Sequence, residues 1–206
     1  MKKLHILLFS IFLLSSPSVF ADDISDFQIE GMSIGDSLLD YMTEEEILEE
    51  IELYDGYQFL KEPYKYTEVF LFTEGQLYDE FSFMFKSSPS NEYITNKNEK
   101  YTILFIRGMI DYIEDFDSCI QKRDEIAGEL SKMFPNAQKD ETSYSHRSDP
   151  SGNSIKDDVN FVFNSGDEVE VSCDNFEEDL RSKKNWTEGL NVVIVTDEIL
   201  RWFRGE

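Results

Sequence analysis

The chain is 206 residues long and sets 43 Asp and Glu against 19 Lys and Arg, a formal net charge of -24. That shortage of basic side chains excludes most nucleic-acid binders and disfavours a polybasic grip on anionic lipid. At 40% hydrophobic and 14% aromatic, the chain nonetheless has enough apolar surface to fold rather than remain an acidic tail.

The N-terminus predicts a secretory signal peptide over residues 1–21. Lys2 and Lys3 form its positive start, residues 4–14 are an apolar run too short to span a bilayer, and Val19 and Ala21 suit a cleavage site after Ala21. No Cys directly follows the apolar run, so no lipid anchor is expected, and no later segment has the length of a membrane span. Residues 22–206 are then expected to form a single domain, and loss of the two lysines moves the net charge from -24 to -26. The Lys-Lys start suggests a bacterial chain bound for the periplasm or the medium. In an oxidising compartment Cys119 and Cys173 read first as a disulfide, with two separate buried thiols as the alternative. Such a bridge would contribute about 4 kcal/mol in the chain-entropy account. The two cysteines and the distant His146 lack zinc-like spacing.

Residues 22–53 predict two short helices. Ile34, Leu38 and Tyr41 or Met42 share one face of the first, and Thr43-Glu44-Glu45-Glu46 is a capping box opening the second. From residue 64 the pattern becomes β-like: an apolar run at 69–72, then Phe81, Phe83 and Phe85 alternating with Ser82, Met84 and Lys86, with Gly75-Gln76 as the turn between them. A polar loop is expected at 87–100 and a central strand from Tyr101, with Gly108 as a bulge. The clearest helix runs over 116–134, where Phe116, Cys119, Ile120, Ala127 and Leu130 share a face and Pro135 ends it. Residues 136–154 read as a polar, turn-rich loop. A hairpin follows, with Val159, Phe161 and Phe163 turning through 164–167 into Val169, Val171 and Cys173. A last strand at 190–195 leads to a helix capped by Thr196 or Asp197. The expected fold is α+β: a mainly antiparallel sheet, one long helix across a face, two short N-terminal helices and a short C-terminal one. Such packing brings the inward Cys173 towards the apolar face that carries Cys119.

The run from Phe27 to Tyr41, through Gly31-Met32-Ser33-Ile34-Gly35-Asp36, resembles the opening of small exported proteins of marine bacteria with AT-rich genomes. That likeness implies export and a single domain and lends no activity. Gly31-Met32-Ser33 is also similar to the turn that opens the small outer-membrane assembly lipoproteins and the β-lactamase-inhibitor-like domains sharing their fold. The chain departs from that group in having no lipidated Cys, and Met42-Thr43-Glu44 stands where its Gly-x-Pro would close the helix pair.

Candidate chemistry is sparse. His146 lies in Tyr144-Ser145-His146-Arg147-Ser148-Asp149, beside hydroxyls and a carboxylate, but nucleophilic catalysis needs a geometry that adjacency does not supply. Asp149, Asp157 and Asp158 offer oxygens to calcium, yet an EF-hand needs glycine sixth and Glu twelfth; a turn stabilised by Asp149 is the stronger reading. Glu114, Asp115 and Asp117 form a carboxylate group that helix capping explains. The aromatic set Phe70, Phe72, Phe81, Phe83 and Phe85 suits either a ligand groove or a sheet core, and the core reading outweighs the other. Arg107 in a strand and Arg123 on the helix must find ion-pair partners. With no cofactor fingerprint, the expected function is non-enzymatic binding of an envelope protein or a small ligand. The alternative is a periplasmic hydrolase using His146 or a carboxylate pair.

Overall fold

The structure, a computed structural model, describes residues 23–73, 77–87, 100–184 and 186–206. The predicted signal peptide, the Gly75-Gln76 turn and the predicted polar loop between Ser87 and Lys100 lie outside the described residues. Among the described residues seven strands form one antiparallel sheet: β1 (Tyr66–Phe72), β2 (Glu80–Lys86), β3 (Phe105–Asp111), β4 (Gln138–Ser145), β5 (Ile155–Val162), β6 (Glu168–Asn175) and β7 (Gly189–Val195). Their spatial order is β1-β2-β3-β7-β6-β5-β4, so β7, the last strand in sequence, joins an N-terminal half to a C-terminal half. The helices are α1 (Glu44–Leu53), α2 (Phe116–Met133), α3 (Glu178–Lys184) and α4 (Asp197–Arg204). This is the expected α+β class, with the longest helix packed on the sheet.

Strand alternation sorts the sheet into two unlike faces. One carries Phe81, Phe83, Ile106, Val171, Cys173, Val192 and Ile194, all essentially buried, and α2 lies across it through Cys119, Ala127 and Leu130. Cys119 and Cys173 are joined there, with Cα atoms 6.0 Å apart. Arg123 is also buried on this side and is paired with Asp157 and Asp124, and Arg107 on the far face is paired with Glu80. Both strand and helix arginines thus have the carboxylate partners their positions demanded.

Several local expectations hold and others change. Thr43 and Glu46 form the reciprocal capping box, and Asp115 accepts the Ser118 N–H at the start of α2. The expected N-terminal helix pair is a 3-10 turn at Leu38–Asp40 followed by α1. The backbone before that turn is drawn into pairing with the chain at 101–103 instead: Gly35 donates to the Ile103 carbonyl and Leu38 to that of Tyr101. Gly108 is not a bulge. It sits in continuous register between Phe81 and Val192. Its lack of a Cβ is needed because that atom would lie 2.7 Å from the Tyr78 ring. The polar stretch after Pro135 contains β4, an edge strand whose eight residues are all exposed. With neither face buried, backbone pairing to β5 and the Thr142 hydroxyl donating to Asp158 fix it. Helix α3 was not expected either.

Candidate functional site: a cleft on the second sheet face

The face opposite α2 starts from different chemistry. On it lie Glu68 and Phe70 of β1, Glu80 and Ser82 of β2, Arg107 and Met109 of β3, Asn191 of β7, and Glu170, Ser172 and Asp174 of β6. Eight-residue α4 covers only one end of it, packing Ile199 and Trp202 on Tyr66, Met84, Phe105, Val193 and Val195. Beyond α4 the face opens as a cleft of about 470 Å³.

Two aromatic groups wall the cleft. Tyr57, held by edge contacts to Trp202 and Phe203 at 5.4 and 5.3 Å, stands on one side with Phe70. His146, Phe176 and Trp186 stand on the other, the imidazole 5.3 Å from the Phe176 ring and 5.2 Å from Trp186. The segment carrying Trp186 is fastened by buried Glu188. That carboxylate accepts the N–H groups of Phe176 and Glu114 and binds the Arg181 guanidinium at 2.8 Å.

The floor between the walls is charged and incompletely paired. Arg107 binds Glu80 at 3.0 Å, Tyr57 donates its hydroxyl to Glu68 at 2.6 Å, and Asn191 donates to Asp174 at 2.9 Å. Burial pushes Glu80 above the usual carboxylate range; Arg107 opposes this, while Glu68 and Asp111 reinforce it. Burial likewise raises Asp174, opposed by Lys156 and reinforced by Glu170. The Tyr57 phenol is driven far above its ordinary value by burial and then by Glu68, so it acts as a donor. Three polar atoms of this face, Arg107 Nε, Ser82 Oγ and Asn160 Oδ1, are buried with no hydrogen-bond partner among the described residues. Deeper along β5 and β6, Lys156 and Glu170 form a pair at 2.7 Å.

Of the side chains singled out in the sequence, His146 reaches this cleft, but without a triad. Its Nδ1 accepts the Ser148 backbone N–H, the Ser145 hydroxyl donates to the Gly152 carbonyl, and Asp149 is engaged in its own turn. There Asp149 accepts from Ser151 N and Oγ and from Ser154 N, which together hold its carboxyl well below the usual range. The three calcium candidates do not converge. Asp157 faces α2 and pairs with Arg123, whereas its neighbour Asp158 faces the other way, towards Thr142. Among the described residues no group of three or more His, Cys, Asp or Glu could hold a metal ion. Glu114, Asp115 and Asp117 stay at the start of α2, outside the cleft. Phe81, Phe83 and Phe85 are core, and Phe70 alone of the aromatic set lines the cleft.

Glu68, Glu80, Asp174, Asn191, Tyr57 and Trp186 were missed as site residues. The available signal was polarity recurring at every second residue on several strands, which in the β6 segment reads equally as a solvated outer face. A second depression of about 500 Å³ lies between residues 26–31 and α2, with Phe27, Ile29, Leu77, Ile126 and Met133 in its lining. Asp26, Gln28, Glu30 and Glu129 also line it. Among the described residues no helix is long and apolar enough to cross a membrane. No protein-family model, curated protein or solved structure matches the chain.

Proposed function

We propose that this is an exported, non-enzymatic binding protein whose ligand is a small polar molecule held in the cleft on the second sheet face. The carrying observation is the cleft itself: aromatic walls on both sides of a floor where each of three carboxylates has a single side-chain hydrogen-bond partner. Ligand sites combine apolar lining with a few convergent polar groups in this manner. The cross-linked cysteines agree with folding in an oxidising compartment, as the signal peptide expected over 1–21 requires.

The reading is tested by small-molecule titration of a Trp202→Phe variant, which leaves Trp186 as the sole tryptophan reporter. Ligands of the cleft are expected to change its fluorescence and to raise the thermal midpoint, and a Trp186→Ala variant is expected to lose the midpoint shift. If every ligand that raises the midpoint does so equally in Trp186→Ala, the cleft is not the site.

A second reading is favoured by one observation. Glu80 and Asp174, both raised by burial, share the cleft with His146, an arrangement that acid-base hydrolysis could use. Turnover of chromogenic ester, phosphate or glycoside substrates that disappears in both Glu80→Gln and Asp174→Asn would select the hydrolase over the binding protein.

A further inference from the structure

Resting on that reading, we propose that the ligand of the cleft is a small organic cation, an amine-bearing molecule whose ammonium group sits among the floor carboxylates and whose body packs between the aromatic walls. The charge balance of the lining points this way. Glu68, Glu80 and Asp174 face one arginine, Arg107, and that arginine is committed to Glu80. Glu68 and Asp174 accept hydrogen bonds only from the neutral donors Tyr57 and Asn191, and Lys156, which stands opposite Asp174 across the strands, is paired with Glu170. An ionised carboxylate accepts about four hydrogen bonds, so a donor-rich cation meets unused acceptors here, whereas an anion meets repulsion.

Two independent features add to the charge count. Ser82 is fully buried and its hydroxyl has no partner; it lies on this face in register with Phe70 on one side and Arg107 on the other, both of which line the cleft. Its hydroxyl is an unused acceptor closed to solvent beneath the floor, outside the lining itself. The walls supply Tyr57 and Trp186, whose ring faces attract cations, most strongly where water is excluded. A neutral sugar would also stack on aromatic rings, but it would leave the excess negative charge of the floor unbalanced. The charge of the whole chain, -24, favours the arrival of a cation from solution.

The test compares benzylamine with benzyl alcohol, a neutral molecule of the same shape, by calorimetry and Trp186 fluorescence at low salt. Benzylamine is expected to bind at least about tenfold more tightly than the alcohol, with affinity falling as salt is added. Asp174→Asn, which keeps an acceptor for Asn191, is expected to remove most of that preference while leaving the alcohol unaffected. Glu80→Gln is the second variant, with near-ultraviolet circular dichroism as the check on folding. Equal binding of the two probes, or a preference that survives both substitutions, overturns the cation. Binding of a neutral sugar in place of the amine, lost in Trp186→Ala, also overturns it while the cleft reading stands. If neither probe nor sugar binds and no ligand responds to Trp186→Ala, the cleft reading falls with it.

Discussion

Glu80 and Asp174 keep their protons to higher pH in the folded chain than in the unfolded one, because burial disfavours their ionised forms. The stability they contribute is present below the unfolded carboxylate range and is lost as pH rises through the raised folded values. At neutral pH they therefore cost stability. Asp174→Asn is expected to raise the thermal midpoint at neutral pH, with the gain shrinking as acid protonates the wild-type carboxyl; a lower midpoint at every pH would contradict this. Asp149 works with the opposite sign. Its depressed carboxyl stabilises above the ordinary range and loses that contribution as pH falls through the folded value, so Asp149→Ala is expected to flatten the acid limb of the stability profile. Gly108 gives a steric counterpart. An Ala there drives its methyl into Tyr78 and is expected to cost about 1–3 kcal/mol in denaturant unfolding.

Elements were legible wherever one of their faces is apolar. The aromatic alternation of β2 and the stripe of α2 follow from burial on a single side, and the disulfide follows from putting those sides together. Reduction of Cys119–Cys173 is expected to lower stability by up to about 4 kcal/mol in the chain-entropy account, read as a drop in denaturant midpoint under dithiothreitol. An unchanged midpoint would show that the bridge constrains nothing. β4 was illegible for the converse reason: Lys139, Asp140, Glu141 and Thr142 face solvent, so no hydrophobic period marks the strand. Charges along such an edge also discourage pairing with other chains. Helix α4 explains where the cleft begins. Trp202 is buried against Tyr66 and Tyr57 and donates its indole N–H to the Glu62 carbonyl at 2.9 Å. Trp202→Ala is expected to cost about 3–5 kcal/mol and to release Tyr57 from the cleft wall.

At the scale of the molecule, the two sheet faces differ in chemistry. The face under α2 is a hydrophobic core, while the other assembles Glu68, Glu80, Arg107, Asn191 and Asp174 from five strands. Side chains so distant in sequence meet only through strand order, above all the insertion of β7 between β3 and β6. The fold class was therefore readable from periodicity, whereas the cleft depends on topology that periodicity does not carry. The joint between the two halves of the sheet brings residues of β1, β2, β3, β7 and β6 into one floor, with walls supplied by Phe70 of β1 and by segments outside the strands. The most direct test of this account is amide NMR of the oxidised, full-length folded chain during titration with benzylamine. The expected result is a saturable set of shifts confined to the neighbourhoods of Tyr57, Arg107, His146, Asp174 and Trp186. Shifts centred on α2 or scattered over the acidic surface without saturation would contradict it.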